Sequence, residues 1–198
     1  MLHERRFRKR LQDGEQSRGL VVLLHALVVS TLRHMNHNDI GISIEEINDQ
    51  VSVSREVVMR EALDSLSVEH AQSLIMICWD LMGSAEWLKA WSILGSLTRT
   101  VDYLQMTMEP EGTNRRPLLA PLNLLDEPKS HAEAEERKRV FWNTFLLDRL
   151  VSVSCGWSTG FSSDNVSRKL PCNGGIWRRS EKAETPFFGI WEKSQAKM

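Results

Sequence analysis

The chain has 198 residues, of which 41% are apolar and 26% charged, with a formal net charge of −1. That is enough length for one domain with a real core, in the range of ordinary soluble globular chains. The near-zero charge excludes a general field drawing it to nucleic acid or anionic membrane, and three dispersed cysteines, Cys78, Cys155 and Cys172, exclude a disulfide scaffold and fit a reducing compartment.

Residues 1–18 are polar and basic. Phe7 and Leu11 are spaced i, i+4, which allows a short amphipathic helix. The simplest reading of Arg5, Arg6, Arg8, Lys9 and Arg10 is a solvated helix face; the functional reading is a nuclear-import patch. Leu20 to Met35 is predicted helical and apolar on nearly all sides until Ser30, as in a helix surrounded by others. Its apolar run, Leu20 to Val29, is about half the ~20 residues a membrane span needs. Asp13, Glu15 and Arg18 separate it from the basic run and no cleavage site follows, which argues against a signal peptide. Asn36 to Ser43 reads as a loop, and the His34/His37 pair lacks further metal ligands nearby.

Glu45 to Leu66 is a second helical stretch, with Val57, Val58, Ala62 and Leu66 loosely spaced at 3–4 and Ser54 proposed as a cap for its second half. Ser67 is expected to cap a third helix carrying Ala71, Ile75, Cys78 and Met82, widened by Leu74 and Leu81 and ended by Gly83. Ser84 is expected to cap a fourth, with Leu88, Trp91, Leu94, Leu97, Val101, Leu104 and Met108 on one stripe. Two helices joined around Gly83-Ser84 make an αα-hairpin. Residues 107–129 hold four of the six prolines, Pro110, Pro117, Pro121 and Pro128, and read as a connecting loop. Ser130 then caps a long helix, with Glu133 at the capping-box spacing, running to about Val153 and closed by Gly156. Glu133, Glu135 and Glu136 are expected to form a solvated first turn, with Phe141, Trp142, Leu146 and Leu150 anchoring the helix and Asp148 and Arg149 making polar contacts to a neighbouring helix or the following loop. The remainder is loop-rich. No segment alternates as a strand, so the fold class is all-α: stacked helix hairpins with a long loop-rich C-terminal segment, forming a single domain over 1–198.

Enzyme chemistry is missing, so no catalytic residue is assigned. Gly156-Trp157-Ser158-Thr159-Gly160 spells a nucleophile-elbow motif, but a helix precedes it and no histidine follows His131. No metal-binding spacing and no phosphate loop is present, so no metal and no cofactor is expected. Trp79, Trp87 and Trp91, with Met76 and Met82, read most simply as plain core; the sharper reading is the lining of an apolar ligand cavity.

Glu135-Glu136-Arg137-Lys138-Arg139-Val140-Phe141-Trp142, then Leu146-Leu147-Asp148-Arg149, a glycine loop opened by Gly156, and Leu170-Pro171-Cys172 resemble the best-known block of the fungal-specific transcription factor domain. That domain is the middle regulatory region of fungal binuclear zinc-cluster transcription factors. Ala90-Trp91 with Arg99 and Tyr103-Leu104 resemble its second landmark, so the likeness covers roughly 67–177. The resemblance implies an all-α nuclear regulator that modulates RNA polymerase II transcription, for example of metabolic genes. Its partners would be other regions of a transcription factor, a full-length relative or a small-molecule effector. Six closely spaced cysteines make the family's zinc cluster, and only three dispersed ones occur here, so neither zinc nor specific DNA contact is expected of this chain. It also ends soon after the loop, where family members continue, which suggests a truncated domain, a fragment or a regulator lacking its DNA module. The alternative is a free-standing helical module that binds a ligand or partner.

Overall fold

A computed structural model describes residues 1–35, 41–109 and 125–188. Among these, seven α-helices occur: α1 Glu4–Gln12, α2 Arg18–Thr31, α3 Ile44–Asp64, α4 Val68–Gly83, α5 Trp87–Tyr103, α6 His131–Cys155 and α7 Gly174–Arg178. There are no strands in the described residues, only isolated bridges pairing Met108 with Ser167 and Lys169 with Phe187. The all-α expectation holds. Pro110, Pro117, Pro121 and His37 lie outside the described residues.

The helices begin where short polar side chains can accept from orphaned backbone amides. Ser17, Ser67 and Ser130 accept from Leu20, His70 and Glu133 N–H groups. Ser43 and Glu46 form a reciprocal capping box at the start of α3. This box, and not the expected cap at Ser54, starts the helix. Ser54 lies in the middle of one continuous helix, fully buried, where its hydroxyl meets His25 Nδ1 at 3.1 Å and accepts from Gln50 Nε2 at 3.2 Å. Ser84 likewise does not cap α5: it is the C-cap of α4, and the N-cap of α5 is Glu86, with no side-chain cap bond.

At the centre is α4. It packs against α2, α3, α5 and α6, and Ala71, Leu74, Ile75, Ile77, Cys78, Leu81 and Met82 are all buried. Two flanking helices supply complementary stripes. In α3, Ile47, Val51, Val58 and Ala62 recur at near-helical spacing and face inward; in α2, Leu20, Val22, Leu23, Ala26 and Val29 do so. Gly19 lets α2 approach α4 closely, since a Cβ there would stand 3.1 Å from Glu69 Cβ. The α4–α5 hairpin forms as the spacing predicts, but with α5 rotated. Leu88 and Trp91 are exposed, and Ala90, Ile93, Leu94, Leu97 and Val101 make the seam. Leu66, past the end of α3, is also exposed.

His70 sits in this core, 3% exposed, with Nδ1 2.9 Å from Ser67 Oγ and Nε2 buried with no hydrogen-bond partner among the described residues. Burial holds its pKa below the ordinary imidazole value, reinforced by Arg18 and opposed by Glu69 and Glu61. The folded chain therefore takes up the proton at lower pH than the unfolded chain does. The stability this gives is present above about pH 6.5 and is lost as pH falls below it. The melting temperature should drop more between pH 7 and pH 5.5 in the unaltered protein than in His70→Asn, which thermal scans at the two pH values would measure.

Candidate functional site

The residues singled out by motif converge on α6 and its surroundings. α6 is amphipathic only weakly because both its polar and its apolar groups are turned inward. Phe141 and Leu147 are fully buried, Phe145 nearly so, and Val140 and Val151 complete the apolar seam. Phe141 is the hub of an aromatic cluster, with ring centroids 5.0 Å from Trp142, 6.1 Å from Phe145 and 5.8 Å from Phe161. Trp142 is half-buried and donates Nε1–H to the Lys169 carbonyl at 2.8 Å. The expectation that Leu146 and Leu150 anchor the helix is corrected: they are 53% and 38% exposed. The inward face is set by Val140, Phe141, Thr144 and Leu147, one step round the helix.

The charged opening of α6 is corrected as well. Glu135 and Glu136 are not solvated; they are 1% and 3% exposed. Each carboxylate has a specific partner on another segment. Glu135 Oε1 accepts from the Cys172 backbone N–H at 2.8 Å and lies 3.3 Å from Arg139 Nε, while its Oε2 lies 3.2 Å from Lys138 Nζ. Arg139 in turn donates to the Cys172 carbonyl at 2.5 Å, and its guanidinium stacks over the Trp177 ring at 4.3 Å. Cys172 is thus gripped through both its N–H and its C=O, which ties the charged run of α6 to the Leu-Pro-Cys in this chain. Leu170 and Pro171 are half-buried, and Leu170 N–H donates to the Pro186 carbonyl at 2.8 Å.

Glu136 turns the other way. It accepts from the His3 N–H at 2.8 Å and pairs with Arg6 of α1. Burial pushes its pKa up, against the pull of the His3 N–H and Arg6. Burial works in the same direction on Glu133, but there the Arg137 hydrogen bond at 2.9 Å and the Arg6 charge prevail and hold the carboxyl below the usual carboxylate range. Glu133 does not close the capping box on Ser130; it accepts from the Lys129 N–H at 3.2 Å, one residue earlier. Arg137 also donates to the Asp126 carbonyl at 2.7 Å.

At its far end α6 stops at Gly156, whose φ of 70° is the left-handed conformation that glycine adopts without strain. Asp148 reaches into the loop beyond, accepting from Gly160 N–H at 2.7 Å and Phe161 N–H at 3.2 Å. Arg149 donates to the Phe161 carbonyl at 2.8 Å and to Ser163 Oγ at 3.3 Å. Gly160 fits because it has no side chain: a Cβ would meet Thr98 Cγ2 at 3.1 Å and Asp148 Oδ1 at 3.2 Å. Asp148 and Arg149 therefore fold the glycine loop back on the helix.

The chemistry of this arrangement is that of a scaffold. The G-x-S-x-G lies in the turn leaving α6, where the Ser158 carbonyl accepts from Ser152 Oγ at 3.4 Å. Burial, then the Glu135 charge, raise the Cys172 pKa, and burial pushes Cys78 up to about 12, so both thiols stay protonated. Among the described residues no group of three or more His, Cys, Asp or Glu side chains is placed to hold a metal ion, and no helix is long and apolar enough to cross a membrane. The tryptophan set splits. Trp79 is 40% exposed and, with Met76, Ser30, His34 and Asp80, lines a cavity of about 480 Å³. Trp91 instead meets Trp157, ring centroids 5.0 Å apart, and Trp87 packs on the core edge.

The profile of the fungal specific transcription factor domain matches residues 23–197. The chain belongs to that family. A transcriptional regulatory protein of Schizosaccharomyces pombe, itself uncharacterized, is 33% identical over 112 residues, covering 54% of this chain. The chain spans about 15% of that relative's length. No solved structure matches significantly. In this fungal transcription factor domain the motif residues are thus internal fastenings of the helical fold. Trp177 and His3 were missed from sequence: Trp177 is buried on α7, its ring centroid 5.3 Å from that of His3 and its carbonyl 2.9 Å from His3 Nε2. Neither carries a local pattern that separates it from a loop residue.

Asp148→Ala in this domain removes both loop acceptors and leaves two backbone amides to be satisfied by water. It should destabilise the domain by about 3 kcal/mol, the order expected for bonds to a buried charge. Chemical denaturation of the variant and parent measures the difference.

Proposed function

We propose that the chain is the regulatory portion of a zinc-cluster-type transcription factor. It acts in the nucleus and modulates RNA polymerase II transcription of a metabolic gene set through contacts with other parts of a transcription factor or with a full-length relative. It needs no cofactor of its own and does not read DNA. The observation that carries this reading is the family match over 23–197, joined to the inward orientation of the motif's basic groups. Arg137, Lys138 and Arg139 are engaged by Glu133, Glu135 and backbone carbonyls, not offered to phosphates.

The test is to fuse the chain to an unrelated DNA-binding module and read a reporter in yeast. Reporter output should differ from that of the DNA-binding module alone, and the unfused chain should not retard duplex DNA. Equal output from the two proteins, or specific retardation by the unfused chain, would overturn the proposal. The cavity beside Trp79 favours a second reading, a helical module that responds to a small apolar effector. In that case Trp79→Ala would abolish an effector-dependent change in output while leaving basal output intact.

A further inference from the structure

The helix α1 is attached to the rest of the domain differently from any other. No residue within it is buried, Leu11 is 40% exposed, and Phe7 is only partly covered. What holds it is charge. Arg6 pairs with Glu136 and stands 3.5 Å from Glu133; Arg10 Nη1 donates to Glu69 of α4 at 2.9 Å. Just before the helix, His3 is clasped between Glu136 and the Trp177 carbonyl. The basic run is therefore divided: Arg6 reaches Glu136 and Glu133 of the body, Arg10 divides between Glu69 of the body and the adjacent Glu15, and Arg5, Arg8 and Lys9 are exposed, with Arg8 beside Glu4 of the same helix.

We propose that α1 is a detachable basic segment, masked at rest by Glu133, Glu136 and Glu69, which on release binds an acidic protein surface through Arg5, Arg6, Arg8, Lys9 and Arg10. Several observations support two states. α1 itself holds no buried residue, so the hydrophobic term that fixes the other helices scarcely opposes its detachment, while Met1 and His3 ahead of it stay packed on the body. Release of Arg6 opens the Glu136 carboxylate oxygen it covers to water, and the burial of Glu136 works against its ionised form while α1 is docked. The side chains of these pairs are up to 30% exposed, so competing carboxylates reach them, while salt weakens them less than it would fully exposed pairs. The class of partner follows from the resting contacts, which are carboxylates on helix faces matched to guanidinium forks. Duplex DNA is disfavoured by the chain's net charge of −1. The proposal does not depend on the transcriptional reading.

The experiment uses the whole chain. Backbone hydrogen exchange over residues 4–12 is compared with exchange over α4, in the unaltered protein at 0.1 M and 1 M NaCl and in Glu133→Gln/Glu136→Gln, with polyglutamate and duplex DNA as binding probes (salt levels set roughly one against a third of the lower-salt screening length). The expected results are at least about tenfold faster exchange in α1 alone in 1 M NaCl and in the variant, and about tenfold tighter polyglutamate binding by the variant at 0.1 M NaCl, consistent with loss of fastening pairs. Adding Arg5→Ala, Arg8→Ala and Lys9→Ala to the variant should remove that gain, because these three side chains take no part in the clasp. Should the double variant unfold as a whole, the salt comparison on the unaltered protein decides alone. Exchange in α1 that keeps pace with α4 under both salts would overturn the proposal. So would release without a gain in polyglutamate binding, or tighter binding of the released segment to duplex DNA than to polyglutamate.

Discussion

Glu135→Ala should destabilise the domain by about 3–5 kcal/mol, the order found when one partner of a buried ion pair is removed. The side chain of Glu135 is fully buried, and those of Lys138 and Arg139 are 11% and 17% exposed. Without the carboxylate, two cations stay in a low-dielectric setting and the Cys172 N–H loses its acceptor. Glu135→Gln keeps an acceptor and should fall between the two, separating the contribution of charge from that of the hydrogen bond. Glu4 provides the contrast. It pairs with Arg8 at 2.9 Å, but their side chains are 69% and 71% exposed, so Glu4→Ala should change stability by less than about 0.5 kcal/mol. Urea unfolding of the variants measures all of these.

Phe141→Ala is the second large effect, again about 3–5 kcal/mol, from lost burial together with the cavity left behind. The ring is fully buried and lies in contact with Trp142, Phe145 and Phe161. The cluster has no simple way to collapse, because Phe161 is tied through its backbone to Asp148 and Arg149. Trp142→Ala should cost less, about 2 kcal/mol, since the indole is only half-buried. Equal losses for Phe141→Ala and Trp142→Ala would mean that the centre of the cluster is misplaced.

The long helix and the helix hairpin of α4 and α5 were legible in the sequence because caps and terminating glycines are local signals. Ser67, Ser130 and Gly156 each do in the structure what their position suggests; Gly83 does not, being the last helical residue, with Ala85 at φ 59° taking the left-handed position after it. Helix rotation was less legible. A period of 3.6 identifies a stripe but not its centre when apolar residues cover more than half the circumference, and Leu146 and Leu88 fell on the wrong side for that reason. The burial of Glu135 and Glu136 was not legible at all. Their partners are Cys172 and His3, thirty-seven and 133 positions away, and a charged turn at a helix start reads locally as a response to the helix dipole. Only the resemblance tied the charged run to the Leu-Pro-Cys; the contacts of Glu135 and Arg139 with Cys172 give the physical link.

The central claim is that α6 holds the following loops in place through buried side chains. Native-state hydrogen exchange at the Gly160, Phe161 and Cys172 amides tests it most directly, because these three donate to Asp148 and Glu135. The expected result is protection close to that of the core of α6, with Asp148→Asn speeding exchange at Gly160 and Phe161 and Glu135→Gln at Cys172, each by about tenfold or more. Amides that exchange at the rate of open loops in the unaltered protein, or that ignore both substitutions, would contradict it.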